Sequence, residues 1–108
     1  MIYELRIYTT IPGRMPNLQA RFRDHTLRIW ERFGIRQAGF FTTLVGPNNN
    51  DLTYMLAWES LAERETKWNA FMADPEWMQA RAESEKDGPI NAQIASSFLV
   101  PTAFSAVK

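Results

Sequence analysis

The stretch IRQAGFFTTLVGPNNNDLTYMLAWE, residues 35–59, contains two strand patterns separated by a turn. In its second half Leu52, Tyr54, Leu56 and Trp58 occupy alternate positions, and this period of two is typical of a β-strand. Its first half is rich in β-branched and aromatic residues, which strands favour. The PNNND segment between the halves has the composition of a turn or hairpin loop. The stretch therefore predicts two strands joined by a tight connection in the middle of the chain.

A strand and a helix are predicted on the amino-terminal side of this hairpin. The segment IYELRIYTT, residues 2–10, alternates as a strand does. Its two faces carry different side chains, namely Tyr3, Leu5 and Ile7 against Glu4, Arg6 and Tyr8. After the turn IPGR, the apolar period changes to 3.6 from about residue 16 to residue 33, which predicts a helix that ends at Gly34.

Two helical segments and a strand are predicted on the carboxy-terminal side. SLAE, residues 60–63, has the sequence of a capping box, and the helix that follows runs to about Ala73. DPEW, residues 74–77, starts another helix, because Asp74 is a good N-cap and Pro75 suits the first helical position. This helix ends near residues 87–88, and PINAQIASSFLV, residues 89–100, predicts the last strand.

The resulting order is βαββαβ, which is the ferredoxin-like split βαβ pattern. We therefore expect one α+β domain over residues 1–108, with a four-stranded antiparallel sheet and helices on one face. If Tyr3, Leu5 and Ile7 meet the helices, the opposite face of the first strand points away from them. Both faces of the predicted strands are at least half apolar, so we expect the open face to pair with a second copy in a homodimer.

Composition removes several classes of function. The formal net charge is zero, there is no cysteine and only one histidine is present. We therefore expect no metal site and no nucleic-acid partner. Nor does any apolar run reach the length of a membrane span, so we expect no membrane association and a cytoplasmic location.

The only histidine, His25, borders the apolar stripe of the first predicted helix. A neutral imidazole titrates near pH 7 and can serve as a general base, which makes His25 the candidate catalytic residue. The alternative is a structural histidine that donates one N–H to a nearby acceptor.

A second set of candidates consists of polar and aromatic residues. Glu4 and Arg6 share one face of the first strand, where they either contact a ligand or form a salt bridge that fixes the structure. The larger aromatic residues either line a ligand site or pack the core. They are Trp30, Tyr54, Trp58, Trp68 and Trp77.

An ordered set of motifs resembles the NIPSNAP family over essentially the whole chain. The motifs are MIYELRIYTTIPGRMPNLQARF, GFFTT, WESLAERE, DPEW and LVPTAFS. The resemblance implies a dimeric α/β barrel, in which two ferredoxin-like sheets close into one barrel. Family members often have a histidine where this chain has Phe33, so a mechanism with paired histidines does not transfer.

The resemblance also sets the functional expectation. The wider group of dimeric barrels includes cofactor-free monooxygenases, small-lactone isomerases and haem-binding enzymes, whereas NIPSNAP proteins are not an established enzyme class. We expect the chain to bind a small hydrophobic or aromatic molecule in a barrel or helix–sheet cavity, without an organic cofactor. Whether it also transforms that molecule is left open, and the alternative is a non-catalytic dimeric interaction module.

Overall fold

The four predicted strands form a single antiparallel sheet in the order β2-β3-β1-β4. The computed structural model describes all residues, 1–108. Its strand bounds are Ile2–Thr10 for β1, Arg36–Thr42 for β2, Asp51–Trp58 for β3 and Asn91–Leu99 for β4. The predicted ferredoxin-like α+β order is therefore confirmed, with β1 and β3 as the two central strands.

The helices cover one face of this sheet. They are α1 (Met15–Arg21), α2 (Leu27–Phe33), α3 (Leu61–Met72) and α4 (Pro75–Ser84), and a π-helical segment, Phe22–Thr26, connects α1 to α2. The core lies between the sheet and this layer. Its largest fully buried side chains include Trp30, Trp58, Tyr54 and Phe71. None of the helices combines the length and apolar character that a bilayer crossing requires.

The ends of the helices follow the sequence signals. The Ser60 hydroxyl accepts a hydrogen bond of 3.1 Å from the N–H of Glu63, and Asp74 caps α4 by accepting from the N–H of Trp77 at 3.0 Å. Gly34 follows α2 with a φ of 70°, a left-handed conformation that glycine adopts at little cost. Local sequence therefore determines the starts of α3 and α4 and the end of α2. The predicted end of α4 near residues 87–88 was wrong, because the helix ends at Ser84.

The π-helical segment was not predicted. Its wider turn is visible where the N–H of Leu27 donates to the carbonyl of Phe22, five residues earlier. The Thr26 hydroxyl also donates to the carbonyl of Arg21, at 3.2 Å. A regular helical wheel no longer applies across this turn, and His25 is exposed instead of bordering the helix–sheet interface.

The predicted facing of β1 was wrong. Glu4, Arg6 and Tyr8 lie beneath the helices and are buried, whereas Leu5 and Ile7 belong to the open face and are half-buried. Antiparallel pairing places Arg6 opposite Tyr54, Glu4 opposite Leu56 and Tyr8 opposite Leu52. Because opposed residues share a face, the charged side of β1 lies beside the buried aromatic side of β3.

Candidate functional site

A buried ion pair lies at the centre of the helix-covered sheet face. Arg6 Nη1 is 2.9 Å from Glu4 Oε2, and the Glu4 side chain has no exposed surface. The indole N–H of Trp58 donates to Glu4 Oε1 at 3.1 Å. Burying a charge is costly unless it is paired and hydrogen-bonded. The Glu4 carboxylate is both, through the ion pair with Arg6 and the hydrogen bond from Trp58.

Two tyrosines complete the environment of Arg6. Arg6 Nε donates to Tyr54 Oη at 2.7 Å, and Arg6 Nη2 donates to Tyr8 Oη at 3.2 Å. The two phenol oxygens are 2.9 Å apart, with Tyr54 donating to Tyr8. The guanidinium of Arg6 also lies 4.8 Å from the centre of the Trp68 ring, close enough for a cation–π interaction.

A second arginine, Arg64 of α3, reaches the same carboxylate. Its Nε is 3.2 Å from Glu4 Oε1 and its Nη2 is 3.3 Å from Glu4 Oε2. Arg64 was not among the predicted site residues, although its position one turn before Trp68 on α3 was a usable signal. Two guanidinium groups and one carboxylate leave this buried network with an excess of one positive charge.

The network shifts the acidity of its members. Burial alone would raise the pKa of Glu4, but hydrogen bonds and charge from Arg64 and Arg6 outweigh it and hold that pKa below its ordinary value. Burial would lower the pKa of Arg6, and the surrounding Tyr54, Tyr8 and Glu4 raise it instead. Burial and the neighbouring Tyr8 raise the pKa of Tyr54, so this phenol keeps its proton.

The predicted ligand-binding residues are brought together by the fold, but they fill the space between them. Tyr54 and Trp58 have no exposed surface. Trp30 lies 5.7 Å from Tyr54 and 6.1 Å from Trp68 between ring centres. None of these four residues, nor Glu4 or Arg6, lines the cavities of about 460 and 430 Å³ described below. Of the predicted aromatic residues, Trp77 alone lines one of them. The arrangement of the other four stabilises the core.

The predicted catalytic residue, His25, lies on the outer side of the helical layer. It borders two shallow depressions beside α4, of about 170 and 260 Å³. Ala80 and Glu83 line both depressions, and neither contains Glu4 or Arg6. No group of three or more histidine, aspartate or glutamate side chains converges there or elsewhere as metal ligands.

A cavity of about 430 Å³ opens at the free edge of β4, and we call it the β4-edge cavity. Its walls come from β1, α1, α4 and the first residues of β4. The aromatic and apolar lining includes Tyr8, Trp77 and Ile94, and the polar lining includes Arg21 and Asn91. The Nε of Arg21 and the Oδ1 of Asn91 are buried without a hydrogen-bond partner.

A second cavity, of about 460 Å³, lies at the opposite edge of the sheet, between α1 and β2. Phe22, Phe40 and Leu52 supply much of its apolar surface, and Arg23 and Gln19 lie among its polar residues. Arg23 is two-thirds exposed and pairs with Asp24 at 3.1 Å. This cavity has no buried polar atom without a partner.

The sheet order and the helical layer define a ferredoxin-like α+β protein, and comparison with known proteins gives the family. The NIPSNAP family model matches residues 3–106. The chain therefore belongs to the NIPSNAP family, as its motifs indicated. A search of curated proteins found no match.

Solved structures of bacterial relatives have the same fold. A NIPSNAP family protein of unknown function from Agrobacterium tumefaciens is 25% identical, with a TM-score of 0.87 over 100% of this chain and 94% of that one. An uncharacterized NIPSNAP domain protein from Burkholderia xenovorans is 27% identical, with a TM-score of 0.84 over 97% and 98%.

A more distant structure supports the fold alone. A putative antibiotic biosynthesis monooxygenase from Nitrosomonas europaea is 8% identical, with a TM-score of 0.63 over 93% of this chain and 97% of that one.

Proposed function

We propose that this protein binds a small molecule with an aromatic or apolar body in the β4-edge cavity. The observation that carries the proposal is the composition of that cavity. Its volume of about 430 Å³ suits a small organic ligand, and the rings of Tyr8 and Trp77 share its lining with the buried Arg21 and the half-buried Asn91. Ligand sites typically combine an apolar wall with a few convergent polar groups. The cavity beside β2 has the volume but lacks unpartnered buried polar atoms.

The expected role of the Glu4–Arg6 network changes accordingly. Arg6 stands behind Tyr8, which lines the cavity, so the network supports the wall of the site without touching the ligand. Conversion of the ligand by His25 stays a prediction. The His25 side chain borders the two depressions beside α4 and does not line the β4-edge cavity.

The binding proposal is tested with 2-naphthamide, a neutral aromatic probe. We expect it to shift the indole N–H resonance of Trp77 in NMR spectra. Ala92 is exposed and lines the cavity, so A92W should block binding, whereas A62W, an exposed position on α3, should not. Binding that survives A92W would contradict the proposal, as would failure of the wild type to bind any of the three naphthyl probes compared below.

We also propose that two copies pair through the open face of the sheet. Leu5 and Ile7 of β1 and Met55 of β3 lie on this face, and Phe41 beside them is 60% exposed. Apolar patches of this kind are rare on monomers. This face also favours the alternative function, a non-catalytic dimeric interaction module, which predicts a dimer with no small-molecule binding.

The expected cytoplasmic location stays a prediction that cell fractionation checks.

A further inference from the structure

The polar end of the β4-edge cavity carries a net positive charge. Arg21 and Arg81 contribute two guanidinium groups, and Glu85 contributes one carboxylate. Arg21 Nη1 is 3.5 Å from Glu85 Oε1, and Arg81 Nε is 4.0 Å from Glu85 Oε2. One carboxylate is thus shared between two cations, with the Arg81 contact at the limit of ion pairing, and the lining keeps one positive charge in excess.

Arg21 is poorly compensated for so buried a cation. Its side chain is only 5% exposed, and its one neutral hydrogen-bond partner is the Ser84 hydroxyl at 3.3 Å. The Nε has no partner, although Trp77 lies 5.4 Å away in a cation–π contact. Burial lowers the pKa of Arg21 from its ordinary value, and the nearby Tyr8 and Glu85 only partly offset that effect. An anion in the cavity would supply the missing compensation.

Tyr8 also lines this cavity, and its hydroxyl proton is not used by the buried network. A phenol oxygen has two lone pairs and one proton, and the oxygen of Tyr8 already accepts from Arg6 and Tyr54. If Tyr8 donated to Tyr54 instead, the proton of Tyr54 would be left without an acceptor in a fully buried position. Donation from Tyr54 to Tyr8 avoids this cost. It leaves the proton of Tyr8, the residue that lines the cavity, free for a ligand oxygen.

We infer that the small molecule bound in the β4-edge cavity carries a carboxylate, which is held by the Arg21 guanidinium and the Tyr8 hydroxyl. This inference rests on the proposed binding function. A carboxylate has the single negative charge that balances the lining, and its two oxygens can accept from both donors. Asn91 supplies a further polar contact, because its amide can present either an acceptor or a donor to the ligand. The aromatic body then lies against Trp77 and Ile94.

The test compares three probes of the same shape by titration calorimetry: 2-naphthoate, neutral 2-naphthamide and 2-naphthyl phosphate. We expect wild-type protein to bind the naphthoate roughly tenfold more tightly than the amide, since a charge-assisted hydrogen bond contributes about that factor. Equal affinities overturn the carboxylate assignment and leave the binding proposal intact. Failure of every probe to bind overturns both. Tighter binding of the phosphate shows that the site prefers a doubly charged oxyanion and also overturns the assignment.

Variants locate the charge that recognises the probe. R21Q should reduce the preference for naphthoate over naphthamide to about one, because the charged contact is lost and the aromatic wall that both probes share remains. R81E is the second variant, since its side chain is 54% exposed and its replacement leaves the core intact. It should weaken naphthoate binding more than naphthamide binding, because it reverses one charge of the lining.

R23E is the matched control, because Arg23 is exposed and lines the cavity beside β2. We expect it to leave both affinities unchanged. Loss of the preference in R23E but not in R21Q or R81E would place the ligand in the other cavity and overturn the inference.

Discussion

Arg64 and Glu4 are 60 residues apart in the chain, yet their side chains form an ion pair of 3.2 Å beneath the helical layer. The contact joins α3 to the central strand β1, and Arg6 meets the same carboxylate from the other side at 2.9 Å. A buried carboxylate shared by two guanidinium groups therefore adds a polar contact to the apolar packing of α3 on the sheet. This relationship gives the first two predictions.

Replacing the shared carboxylate should destabilise the protein. E4Q leaves two buried or half-buried arginines without their anion, and breaking a buried pair typically costs about 3–5 kcal/mol of unfolding free energy. Denaturant titration measures this loss. E65Q is the matched control, because Glu65 is exposed on α3 and its replacement should change the unfolding free energy by less than about 0.5 kcal/mol. Equal, small effects of the two variants would show that the network contributes nothing to stability.

Stability should fall in acid because of Glu4. Its folded-state pKa lies below the ordinary value of 4.5, so the unfolded carboxyl takes up a proton at a higher pH than the folded one. The contribution of Glu4 is therefore fully present above about pH 4.5 and is lost as the pH falls through the lowered folded-state pKa. The unfolding free energy of the wild type should decrease over this range more steeply than that of E4Q. Parallel curves would contradict the lowered pKa.

His25 should contribute little to stability or to probe binding. It is exposed and lies outside the β4-edge cavity, so H25A should change the unfolding free energy by less than about 0.5 kcal/mol. Naphthoate affinity should stay within about twofold of the wild type, by calorimetry. A stability loss above about 2 kcal/mol would instead assign His25 a structural contact. A loss of affinity would return it to the binding site.

The open sheet face should determine the oligomeric state. Light scattering at micromolar concentration should give twice the 12.5 kDa mass of one chain. I7E places a charge on this face and should shift the mass towards that of a monomer. L61E is the control, because Leu61 is an exposed apolar residue on α3, in the helical layer. A wild-type mass near that of one chain would remove the dimer proposal.

Local signals predicted the elements well. The capping residues Ser60 and Asp74 start the two later helices as expected, because a side-chain oxygen meets an N–H only two or three residues away. The π-helical turn at residues 22–26 escaped prediction because its packing against α4, on a distant part of the chain, has no short-range signature. His25 was misplaced for the same reason.

The sequence by itself determined that Glu4, Arg6 and Tyr8 share one face of a strand, because side chains alternate with a period of two. Only the tertiary structure decided which face the helices cover, since that depends on how β1 pairs with the aromatic side of β3. The existence of the β4-edge cavity likewise depends on the tertiary structure. Its polar end combines Arg21 of α1 with Asn91 of β4, and two residues so far apart in the chain meet only when the helical layer packs onto the finished sheet.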